Sequence, residues 1–202
     1  MIVLGWTTDK AALPKGIRRD WNGGLATLYT DNPNTTPQTR MALQLGCHDA
    51  CNSFLPTAPV SQVTLGEARQ CDTDHLYDAL QAVAGKAQLT LSVTWSGKQF
   101  SAPSETGRNW LDQRSRAYHD NQQFARKVMN WAAAAAPRQI NLRQGKTTIC
   151  CDILLDKSEM PTAQRKISQA VAQAQISGAI QPMLSGPWPV YSFVPDIARC
   201  AA

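Results

Sequence analysis

From Gln88 to Trp95 the chain alternates strictly, with Leu89, Leu91, Val93 and Trp95 on one side and Gln88, Thr90, Ser92 and Thr94 on the other. Successive side chains of a strand point to opposite faces, so a period of two requires a sheet with one face in a core. Not far beyond, the period changes. Trp110, Ala117, Phe124 and Trp131 recur every seven residues between Arg108 and Ala136, with Leu111, Tyr118, Ala125 and Ala132 beside them. Together with Val128 they form one broad apolar helical face, with Arg114, Arg116 and Lys127 off it. Pro137 ends the run. Such a chain combines a one-faced sheet with a long amphipathic helix.

The remaining elements are placed by periodicity and punctuation. Ile2 to Trp6 reads as a short strand, Pro14 to Trp21 as a loop, Asn22-Gly23-Gly24 as a tight turn and Leu25 to Thr30 as a second strand. A helix is predicted over Gln38 to Phe54, with Met41, Leu45, His48 or Asp49, and Asn52 at helical spacing. Pro56 and Pro59 end it, and Val60 to Leu65 reads as a strand. Asp72-Thr73-Asp74 supplies capping oxygens for a helix carrying Leu76, Leu80 and Val83, stopped by Gly85. The first half thus reads β-β-α-β-α-β. After the long helix come a β-rich run from Thr147 to Leu155, an amphipathic helix from Thr162 to Ile176, and Ala179 to Leu184 leading into a final strand. The expected division is an N-terminal domain over residues 1–96, a linker over 97–107 and a C-terminal domain over 108–202.

Charge is concentrated rather than spread. Between Arg108 and Lys146 lie eight basic residues and two acids, a local +6 against +5 for the whole chain, so the rest sums to −1. A solvated basic face is one outcome, docking onto an acidic protein surface another, with Arg114, Arg116 and Lys127 as the candidate contacts. Nucleic acid is disfavoured, because the aromatics fall on the apolar helix face instead of alternating with the basic residues.

No run approaches the roughly 20 apolar residues that span a bilayer. The apolar start lacks the basic flank of a signal peptide, so a soluble cytoplasmic protein is expected. The six cysteines are then read as reduced thiols. Cys47, His48 and Cys51 cluster on one helix, with Cys71 and His75 the nearest additional donors, but two cysteines at i, i+4 and a histidine do not complete a metal site. His48 and Asp49 are adjacent and point about 100° apart, which excludes a ready-made acid–base dyad. No phosphate-binding glycine loop, nucleophile elbow or paired-carboxylate motif is present. The expectation is a protein without cofactor or catalysis.

Near the C-terminus stands Gly186-Pro187-Trp188-Pro189-Val190-Tyr191-Ser192-Phe193. Each proline removes a ladder donor, so such a string belongs at a sheet edge or an abrupt bend. It is very similar to the GPWPPYSF ending of the GvpF/GvpL family of gas vesicle proteins, with Val190 in place of the third proline. Matches in the same order precede it. Leu45 to Leu65, with His48-Asp49, resembles the family's helix with a histidine–acid pair and the following strand. Leu65-Gly66-Glu67 stands where the family has phenylalanine-glycine-threonine. Gly107-Arg108-Asn109-Trp110-Leu111, followed by Arg114, resembles its glycine, aromatic-leucine and basic helix start, and Ile140 to Leu155 the strand before its last helix.

The resemblance implies an N-terminal α+β domain and a ferredoxin-like C-terminal domain. It implies a non-enzymatic assembly factor or minor vesicle component, cytoplasmic and associated with gas vesicles. Its partners would be the small hydrophobic shell protein, kept from aggregating during nucleation, and other gas vesicle accessory proteins. Gly186, Pro187, Trp188, Pro189, Tyr191 and Phe193 are the candidate partner contacts that follow from it.

Overall fold

A computed structural model describes residues 1–58, 62–95, 107–145, 148–174 and 180–194 of the chain. The architecture is α+β, with two four-stranded sheets. Two compact units are resolved: Met1–Gln88 together with the segment from Pro187 onward, and Leu89–Gly186.

In the first unit, β1 (Ile2–Thr7), β2 (Arg18–Asn22), β3 (Leu25–Thr30) and β4 (Leu55–Pro56) form a sheet in the order β2-β3-β1-β4. The Asn22-Gly23-Gly24 signal makes a hairpin: Asn22 pairs with Leu25 across Gly23 and Gly24, both at positive φ (56° and 94°). Two successive left-handed residues match the right-handed twist of the strands they join. The segment expected as a loop up to Trp21 therefore pairs from Arg18 onward, as an exposed edge strand whose alternation is too polar to register as a strand.

Helix α1 (Pro37–Ala50) starts one residue before the expected position, capped by the Thr36 hydroxyl, which accepts from the Thr39 amide. Its buried residues are Arg40, Gln44, Cys47 and His48, whereas Met41 is exposed. The inward stripe is thus turned from the one that apolarity selects, because this helix buries hydrogen-bonding groups. Cys47 joins Leu4, Leu28, Cys51 and Phe54 in the core of the unit.

The stretch read as a strand over Val60 to Leu65 resolves differently, with Val60 and Ser61 lying outside the described residues. Val63 and Thr64 touch β1, through Val3 N–H to Val63 O at 2.9 Å and a bridge from Ile2 to Thr64. Thr64 then caps α2 (Leu65–Ala68) in a reciprocal box with Glu67. Helix α3 (Thr73–Val83) has the expected cap, the Asp72 carboxylate accepting from the Asp74 and His75 amides, and buries Leu76, Ala79, Leu80 and Val83.

The second sheet has the order β6-β7-β5-β8, from β5 (Lys86–Trp95), β6 (Gln139–Gln144), β7 (Thr148–Asp156) and β8 (Ile180–Trp188). With α4 (Gly107–Ala133) after β5 and α5 (Met160–Gln173) after β7, the connectivity is β-α-β-β-α-β, a split βαβ unit. The alternating strand of the sequence is thus one of the two inner strands of this second sheet, with Leu89, Leu91 and Val93 buried. The segment expected as a linker falls on residues outside the description up to 106. The described part of β8 lies at an edge, where Pro182 and Pro187 cost no interior ladder bonds.

Candidate functional site

The C-terminal string is anchored by its own residues. Gly186, two residues before the end of β8, sits at φ 125°, a conformation open to glycine and costly for other residues. Pro187 is exposed, Trp188 is half-buried, and Pro189 and Val190 are buried. A short 3₁₀ turn follows over Tyr191–Phe193. The Tyr191 hydroxyl donates to Gln44 Oε1 at 2.9 Å, and the Ser192 amide donates to Gln88 Oε1 at 2.9 Å. Tyr191 and Phe193 are half-buried. Burial pushes the Tyr191 phenol above its ordinary range, so it stays a neutral donor.

Gln44 is the residue at the centre of this anchorage, and it is fully buried. Its Nε2 donates to Leu4 O at 2.8 Å, Thr57 O at 2.9 Å and Thr57 Oγ1 at 3.1 Å. One amide therefore joins α1, β1, the segment after β4 and the C-terminal turn. Nothing in the sequence marks Gln44, because glutamine on a helix ordinarily lies in solvent. The signal that could have found it is negative: an apolar stripe on α1 too weak to explain the helix without polar burial.

Helix α4 carries the three candidate cations, and they do not share one face. Arg116 and Lys127 are eleven residues apart, three turns plus about 20°, whereas Arg114 is turned about 160° from Arg116. Arg114 lies within the apolar stripe, not off it, with its guanidinium 4.9 Å from the centre of the Trp110 ring. The stripe itself divides along its length. Ala125, Val128 and Ala132 are buried and Phe124 meets Trp131 edge-to-face, but Trp110, Leu111 and Tyr118 are 43, 61 and 66% exposed. Core packing thus accounts for the second half of the stripe only.

A cavity of about 290 Å³ opens in the first unit beside Trp6, Trp21, Leu25, Ala68 and Leu76. Its carboxylate, Asp20, is held by Arg69 at 2.9 Å, and Arg19 stacks 5.4 Å from the Trp21 ring. The Asp20 carboxylate is thus taken up by an ion pair. His48 is buried and Asp49 exposed, so the adjacent pair points apart as helix geometry requires. Among the described residues no group of three His, Cys, Asp or Glu is placed to hold a metal ion, and no helix is long and apolar enough to cross a membrane.

Cys47, Cys51, Cys71, Cys150 and Cys151 are free thiols, all buried except the half-buried Cys150. Burial first, then the neighbouring Cys51, pushes the Cys47 thiol up to about 12; burial, then Asp152, does the same for Cys151. The thiolate is the nucleophile, so native alkylation should modify Cys150 well before Cys47 and Cys151, and unfolding should equalise the rates. Peptide mass mapping after timed quenching checks this, and fast native labelling of Cys47 would mean that α1 is not seated as described.

Against known proteins, no protein-family model and no curated protein sequence matches the chain. Solved structures do match it in fold. The crystal structure of the gas vesicle protein GvpF from Anabaena sp. PCC7120 superposes with a TM-score of 0.69 at 11% identity, over 96% of this chain and 95% of that one. The gas vesicle protein GvpF from Microcystis aeruginosa superposes with a TM-score of 0.67, also at 11% identity, over 95% of this chain and 97% of that one. The chain has a GvpF-like fold.

Proposed function

We propose that this protein is a gas vesicle assembly factor or minor vesicle component that acts by binding and not by catalysis. The observation that carries the reading is the end-to-end match to two GvpF structures, covering 95–96% of this chain. The GPWPVYSF string supports it from an independent direction, being sequence-specific where the fold match is not. A small shell subunit with large apolar surfaces aggregates unless a partner covers them, and covering them takes contact alone. The partners on this reading are the shell subunit and other vesicle accessory proteins, and the location is the cytoplasm, at gas vesicles.

Deleting the gene in the native host should abolish or sharply reduce gas vesicles while shell-protein synthesis continues, read by electron microscopy and buoyancy. Normal vesicle number, size and buoyancy in a host with no second related gene would overturn the reading. The purified protein should bind the shell subunit with an affinity that falls as salt rises, because exposed cations contribute, yet persists in part through apolar contact.

A further inference from the structure

We infer that the N-terminal half of α4 is a docking surface for a helix of a partner protein, one that carries an apolar stripe with a carboxylate in it. The inference deepens the assembly reading above and rests on it. Its origin is a mismatch of lengths. A helix of 27 residues is about 40 Å long, while β6, β7 and β5, with 6, 9 and 10 residues, reach about 20, 30 and 33 Å. The sheet can cover only part of such a helix, and the covered part is the C-terminal one, where Ala125, Val128 and Ala132 are buried.

The apolar stripe nonetheless continues past the covered part. Trp110, Leu111, Arg114 and Tyr118 stand at i, i+1, i+4 and i+8, within about 100° of one another around the axis and on the side that Val128 and Ala132 occupy. A solvated overhang has no need of an indole, a leucine and a phenol in register, and exposing them together is costly. The Tyr118 hydroxyl accepts from Gln122 Nε2 at 2.7 Å, and Arg114 lies over Trp110, so both rings have neighbours along the helix that hold them. Tryptophan, tyrosine and arginine are the side chains that dominate binding energy at protein interfaces.

Charge selects the occupant. Arg114 makes no ion pair among the described residues, and Asp112 and Asp120 leave the helix about 160° and 120° away from it. A second copy of this stripe would bring Arg114 against Arg114 with no acid to separate them, which disfavours self-association. A partner stripe with a carboxylate opposite Arg114 satisfies it, and helix against helix suits anchors at these spacings. Nucleic acid fits less well, because the stripe offers a single cation and Leu111, while Arg116 and Lys127 lie on the far side beside Asp112 and Asp120.

The test titrates the full chain with the small vesicle shell subunit. Leu111→Asp combined with Tyr118→Asp should weaken binding by more than tenfold, and Arg114→Glu by about tenfold. Gln123→Asp, an exposed position on the opposite side of the same helix, should change it by less than about twofold. Melting curves that superpose on the wild type exclude unfolding as the cause. Hydrogen exchange should show new protection over residues 107–120 in the complex. If the wild type binds but the stripe variants bind equally well, the surface is elsewhere and this inference alone falls. If the wild type does not bind the subunit, the assembly reading falls and the inference with it. Tighter binding of a single-stranded RNA oligonucleotide through Trp110, Arg114 and Tyr118 would overturn it in favour of nucleic acid.

Discussion

Gln44→Leu should destabilise the protein by about 2–5 kcal/mol, the larger of the two stability losses expected here. Leucine fills similar volume but offers no hydrogen bonds. Leu4 O would keep the Thr57 amide as a donor at 3.0 Å, and Thr57 Oγ1 would keep Val3 O at 3.1 Å. Thr57 O and the Tyr191 hydroxyl would each lose Gln44, and a buried polar group without its partner costs about 1–3 kcal/mol. Tyr191→Phe removes the other side of the last bond and should cost less, about 1–2 kcal/mol, because it orphans the Gln44 oxygen alone. The same variant carries a pH signature. Burial raises the Tyr191 phenol above its ordinary 10.0, so folding favours the neutral form. The associated stability is fully present below pH 10 and is lost as pH rises through the folded value. Urea titrations at neutral and alkaline pH check both points: Tyr191→Phe should lie below the wild type at neutral pH and fall less on alkalinisation. Equal stability of Gln44→Leu and wild type would show that the C-terminal turn is not held at this amide.

Gly5→Ala should cost about 3 kcal/mol, the upper end of what overpacking ordinarily does. Gly5 sits at a register shift in β1, between the pairs Val3 with Tyr29 and Gly5 with Leu28. A Cβ there would collide with Leu55 O and come within 2.7 and 2.9 Å of the Phe54 ring carbons Cε2 and Cζ. A carbonyl oxygen of a paired strand is not a flexible end that swings away, so β1 and β4 would have to separate. Gly66→Ala makes the comparison, since its Cβ would meet nothing nearer than Thr64 Oγ1 at 3.9 Å, and alanine favours the helix. Denaturant midpoints with unchanged slopes for both variants give the two numbers directly. A Gly5→Ala protein as stable as the wild type would mean that β4 does not pair with β1 as described.

These two residues mark how far sequence reaches. Gly5 is invisible as a constraint until Leu55 is known to lie against it, and Gln44 reads as surface until four carbonyl and hydroxyl oxygens converge on it. The local signals fared well: the Asp72 cap, the Gly23-Gly24 turn and the period-two strand each involve residues within a few positions of one another. Short-range sterics and capping need no knowledge of the rest of the chain. The proline-bracketed tryptophan also reads correctly as an edge feature, because a missing donor is a property of the residue itself.

What lay beyond the sequence was every choice made by distant partners. Strand Gln88–Trp95 announces that it is a strand but not which sheet will take it, because backbone pairing is available to any neighbour and the choice depends on what packs on its Leu89, Leu91 and Val93 face. The seven-residue stripe of α4 is written in full from Trp110 to Ala132. A stripe of apolar residues states only that the surface avoids water. Whether a sheet covers all of it depends on the length of the strands, and the longest of them, β5 with 10 residues, is shorter than a helix of 27. The sequence determined the periods, the caps, the turns and the edge, all fixed by local physics; the tertiary structure decided which apolar face found a partner within the chain and which polar group was taken inside, because burial depends on residues far apart along the chain.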